Sequence, residues 1–192
     1  MILKTLLTLF VLFFSSSVVA DDISDFQIEG MSIGDSALKF FTEKHIKKNI
    51  RDYYDDKKFT AVENNKLSFF ETYDAVTFRY KTNDKEYKID GLTGILIFKN
   101  NVQECYLEMD QIFKDLSVMF RNAKILEKLV TPAPFDKNTL KTDIVFVLES
   151  GWIAVACYDY SKESEKNGNI DHLAVEIYTN EFVSWLRDKA YN

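Results

Sequence analysis

The chain has 192 residues, with 24 lysines and arginines against 30 aspartates and glutamates, a formal charge of −6 at neutral pH. That sign excludes a dedicated nucleic-acid binder, because a phosphate backbone is held by clustered lysine and arginine. Two cysteines, two histidines and 16 phenylalanines suit one disulfide and a large apolar core, and leave little from which to build a histidine-rich metal centre.

Residues 1–20 read as a signal peptide rather than as fold. Lys4 precedes a near-continuous apolar run from Leu6 to Phe14, and Val18-Val19-Ala20 supplies small residues for cleavage after Ala20. The run is too short for a good membrane span, so no integral membrane segment is expected after cleavage. Residues 21–192 then form one domain of ordinary size, with a charge of about −7 once Lys4 is gone. Export to the periplasm or the medium places the two cysteines in an oxidising compartment, where Cys105 and Cys157 read as a disulfide.

After a polar start, Ser32 and Asp35 have capping-box spacing and predict a helix through Ala37, Leu38, Phe40 and Phe41. Thr42 caps a second short helix, Glu43 to Lys48. Strands are expected at Phe59 to Val62 and Leu67 to Tyr73, split by a turn at 63–66. Ala75 to Lys81 alternates, with Val76, Phe78 and Tyr80 on one face and Thr77, Arg79 and Lys81 on a wet one. Glu86 to Asp90 returns as a strand, Gly91 suggests a bulge, and the unbroken apolar run Gly94 to Phe98 suits a central strand.

The strongest single signal is Asn101 to Arg121. Val102, Cys105, Met109, Ile112, Leu116 and Met119 fall at helical spacing, Asn101 is the cap, and Glu104 is placed to reach back to it. Ala123 to Val130 is compatible with a helix extension or an edge strand. Thr142 to Glu149 and Trp152 to Tyr160 read as a hairpin around Ser150-Gly151. On the return strand Ile153, Val155 and Cys157 share a face, and that aliphatic face is the natural floor for the helix carrying Cys105. Ser161 to Asp171 reads as loop, His172 to Tyr178 as a strand, and Thr179 or Asn180 opens a last helix. The order predicts an α+β fold, an antiparallel sheet with helices packed on one face and one disulfide.

The stretches IEGMSIGDSALKFF and TEKHIKKN, with YKIDGLTGILIF, ECYLEMDQIFKDLSVMF, CYDYS and DHLAVEIYTNEFVSWL, resemble a group of small exported proteins of unknown function common in Pelagibacter-type marine bacteria. The Gly-Met-Ser opening is also similar to outer-membrane assembly and lactamase-inhibitor-like domains. The first resemblance implies no activity or site, and the second implies a binding fold.

Chemistry is sparse. Cys157, His172 and Asp159 sketch a thiol triad, but the alternation puts Cys157 and His172 on opposite faces, and a disulfide would consume the thiol. No catalytic residue, metal ligand set or cofactor is assigned. The basic stretch Lys44 to Lys58 reads as a solvated face. Trp152, Tyr158 and Tyr160 share the outer face of one strand, with Tyr178 outward on a later one, and these four are the candidate binding residues for a protein, peptide or glycan partner. The expected function is a non-enzymatic periplasmic or secreted binding module, with a hydrolase using an unplaced acidic or thiol residue as the alternative.

Overall fold

The computed structural model describes residues 20–99, 101–133 and 136–191. The expected signal peptide up to Val19 lies outside the described residues. Ala20, just before the expected cut, is buried, and its N–H donates to Met119 O.

Among the described residues eight strands form one antiparallel sheet: β1 (Ile50–Arg51), β2 (Phe59–Asn65), β3 (Ala75–Lys81), β4 (Gly91–Ile97), β5 (Lys124–Ala133), β6 (Asp136–Val147), β7 (Gly151–Asp159) and β8 (His172–Thr179). Their spatial order is β1-β2-β3-β4-β8-β7-β6-β5. The chain lays down a four-strand meander and crosses through the long helix α2 (Val102–Met119) to the far edge. It then works back until β8 closes against β4. As expected from its unbroken apolar run, β4 is central.

Side-chain alternation divides the sheet cleanly. On the first face Ile153 lies opposite Ile177, Val155 opposite Val175 and Cys157 opposite Leu173, and α2 buries Cys105, Met109, Ile112 and Leu116 against them. Each such side chain contributes roughly 1.5–3 kcal/mol by leaving water. The Cys105–Cys157 disulfide joins helix to sheet across 52 residues, with its Cα atoms 6.0 Å apart. Asn101 caps α2 by accepting from Glu104 N. The short helix α1 (Glu43–Lys48), capped by Thr42, contributes Ile46 to the same core.

The expectation of helices on one face does not hold. Helix α4 (Asn180–Asp188) packs on the second face, where Phe182 and Trp185 form a separate cluster with Tyr54, Phe59, Ala61 and Tyr178. The turn after β8 is tight, since Thr179 both ends the strand and caps the helix. Tyr178, the last outward residue of β8, therefore receives α4 on its own side.

Several local expectations also change. Ser32 and Asp35 do make the reciprocal contact, Ser32 N to Asp35 Oδ2 at 3.1 Å, but with Gly34 at φ +88° it closes a turn, and only a 3-10 segment Ala37–Lys39 follows. Strand β2 runs through the expected turn to Asn65. Residues 67–73 form no strand: the Glu29 carboxylate accepts from the N–H groups of Glu71, Thr72 and Tyr73, satisfying backbone that a neighbouring strand would otherwise serve. Residues 86–90 make only an isolated bridge, Lys88 to Ser36. Residues 123–130 resolve as the edge strand β5, and the 161–171 loop holds a short helix α3 (Lys162–Lys166). Among the described residues no helix is long and apolar enough to cross a membrane.

Candidate functional site: the open face of the sheet

The first face is sealed by α2 and the N-terminal segment, so any surface offered by the sheet lies on the second. There, among the described residues, α4 covers one corner. Beyond it, the rows across β4, β8, β7 and β6 read Thr93–Glu176–Ala154–Val145, then Ile95–Ala174–Ala156–Asp143, then Ile97–His172–Tyr158–Lys141. Small alanines floor the middle and larger side chains stand at both ends.

The four candidate residues separate into two stations. Trp152 and Tyr158 lie six residues apart on β7, about 20 Å along a strand. Tyr178 is 9 % exposed and packs on Phe182 at 5.0 Å, so it supports the corner under α4 rather than facing solvent. Trp152, directly opposite Tyr178, is half-buried, belongs to neither hydrophobic cluster, and its indole N–H has no hydrogen-bond partner among the described residues. At the far station Tyr158 stacks on His172 at 4.8 Å, and Tyr160 lies 5.6 Å from the same ring. Burial, and then the Asp171 charge, push the Tyr160 hydroxyl up to about 12. Burial holds the His172 imidazole below its usual range.

The sequence reading placed Arg79 on a wet face; the structure makes it the centre of the corner. Its stem crosses β4 over Gly91, where an added Cβ would meet Tyr178 Cδ1 at 3.0 Å and Arg79 Cδ at 3.1 Å. The guanidinium then lies 5.3 Å from the Tyr178 ring and 6.0 Å from the Phe182 ring. Nε donates to Tyr54 Oη at 3.2 Å, and Nη1 donates to Thr93 Oγ1 at 2.5 Å and Thr77 O at 3.4 Å. Burial opposes its charge, yet Tyr178, Tyr54 and Glu176 outweigh burial and raise its pKa. Nη2 has no hydrogen bond or ion pair among the described residues. A signal for this existed in the sequence, since Gly91 opposite Arg79 is the space a long stem needs.

Between the stations the charges are ordered. Lys141 pairs with Asp143 at 2.8 Å; burial works against its charge, and Glu176 and Asp143 together raise its pKa. Glu176 sits in the row next to the Arg79 corner, within the electrostatic reach of Arg79 and Lys141, and forms no ion pair with either. The face thus offers donors at Arg79 and Trp152 and an acceptor at Glu176, while Ala154, Ala156 and Ala174 between them are buried.

The thiol triad is not assembled. Both sulfurs are in the disulfide, and Cys157 and His172 point to opposite faces, as their pairing with Leu173 and Tyr158 requires. His45 binds Asn64 Oδ1 at 2.7 Å and stacks on Phe41. Among the described residues no group of three metal-ligating side chains converges. The basic stretch 44–58 is largely paired, Lys47 with Glu43, Lys57 with Asp52 and Lys58 with Glu181.

Comparison with family models, with curated proteins and with solved structures finds no match for this chain.

Proposed function

We propose that the chain is a non-enzymatic binding domain of the periplasm or the extracellular space, with the open sheet face as its contact surface. The observation that carries this reading is the Arg79–Trp152 corner. Among the described residues Arg79 Nη2 and the Trp152 indole N–H have no hydrogen-bond partner, and they flank the buried Tyr178 ring on the sheet. Preorganised donors favour recognition, because little side-chain entropy is lost when a partner docks. The disulfide supports an oxidising compartment, and a leader of signal-peptide type supports export. The partner is a protein, peptide or glycan that places an acceptor at Arg79 and a flat surface on Trp152.

The test is affinity capture from a cell-envelope extract with the full chain and with Trp152→Ala and Arg79→Met variants, read by mass spectrometry. A component retained by the wild type and lost from both variants supports the surface. A component held equally by all three moves the contact elsewhere.

A further inference from the structure

Among the described residues strand β5 is one of the two edges of the sheet without a neighbouring strand, and it carries large aliphatic side chains into solvent on both faces. Ile125 is 38 % exposed, Leu126 40 %, Leu129 58 % and Val130 58 %. The opposite edge, β1, has only two residues. A long apolar edge is a pairing surface that proteins either blunt or use.

The register of β5 says what it fits. Ile125 lies opposite Phe146 and Leu126 opposite Val145, but Leu129 lies opposite Asp143 and Val130 opposite Thr142. Between Leu126 and Leu129 strand β5 therefore holds one residue more than β6 does, a bulge. Leu126 and Leu129 consequently share the second face, and Ile125 and Val130 share the first. In an unbroken strand residues three apart would point to opposite faces.

Antiparallel pairing of a strand with its own copy sets residues symmetrically about a twofold axis, and opposed residues must share a face. An axis passing between Glu127 and Lys128 meets that condition only because of the bulge. Leu126 then falls opposite Leu129 of the second copy and Ile125 opposite Val130, while Lys128 stays with Asp110 of its own α2 at 3.4 Å. The apolar residues of the sequence Ile-Leu-Glu-Lys-Leu-Val are their own complement in this register: leucine meets leucine and branched aliphatic meets branched aliphatic.

We infer that β5 is the interface of a twofold homodimer in which the sheet continues from one copy into the next. The second faces of both copies then form one surface, with the two Arg79–Trp152 corners distant from the axis. This inference is independent of what that surface binds.

Analytical ultracentrifugation of the full chain, expressed with its own leader, tests it over a wide dilution series. The wild type is expected as a dimer. Leu126→Glu alone, or Leu129→Lys alone, sets a charge against leucine of the second copy and raises the dissociation constant by about a hundredfold. Both changes in one chain set the new carboxylate against the new ammonium and restore the dimer. The two single variants are expected to unfold at the temperature the wild type shows when diluted to monomer, and the double variant near the dimeric wild type, because both sites are exposed in the single chain. A monomer at every concentration, a dimer indifferent to the single changes, or a double variant that stays monomeric overturns the inference.

Discussion

The Arg79 guanidinium lies 5.3 Å from the centre of the Tyr178 ring, and the two side chains meet over Gly91, where no Cβ intervenes. Gly91→Ala is expected to open this stack and to destabilise the fold by about 1–3 kcal/mol through overpacking. Denaturant unfolding measures the loss. An unchanged midpoint would mean that the flexible Arg79 stem simply moves aside.

Glu29 holds three consecutive backbone N–H groups, those of residues 71–73, at 2.7–2.8 Å. Glu29→Gln keeps the shape but removes the charge and turns one acceptor atom into a donor. A cost of about 2 kcal/mol is expected, concentrated in the loop. Amide hydrogen exchange at Glu71, Thr72 and Tyr73 should accelerate while the β3 amides keep their protection.

The disulfide closes a loop of 52 residues. Cys105→Ala with Cys157→Ala, or reduction, is expected to remove about 4 kcal/mol by the loop-entropy estimate. Thermal unfolding with and without reductant reads the effect. An equal melting temperature in both conditions would show that α2 docks as firmly by packing alone.

His172 carries a pH signature. Burial lowers its folded pKa below the ordinary 6.5, so the unfolded chain binds more protons in the interval between the two values. Stability contributed by the neutral ring is therefore complete above about pH 6.5 and is lost as pH falls through the folded pKa. A profile of melting temperature against pH should drop on the acid side of 6.5, and His172→Phe should flatten that part of the curve.

The elements whose signals are local were legible. The 3.6-residue stripe of α2, its Asn101 cap, the Thr42 and Thr179 caps, and the strict alternation of β3, β7 and β8 all carry their structure in neighbouring residues. From the aliphatic face of β7 the disulfide followed. What failed depended on distant partners. Residues 67–73 have strand composition, yet a glutamate forty residues earlier takes their N–H groups. Arg79 alternates as an outward residue, and only the later arrival of Tyr178 and α4 encloses it. Of the four aromatic candidates, Trp152 stays half-buried and outside both hydrophobic clusters, and Tyr178 is buried because α4 follows it without a spacer. The edge position of β5 was one of two readings, since its apolar residues fit either period until β6 supplies the register.

The strand order has a consequence for synthesis. The β1–β4 meander is made first and presents a bare edge at β4, and the strand that seals it, β8, is the last strand to be made. Both cysteines precede β8 in the chain, so the sulfur bridge is chemically available while that seam is still open. Oxidation before the C-terminus arrives would tether the returning hairpin beside its docking place, and would shorten the interval in which the unfinished half is exposed to its neighbours.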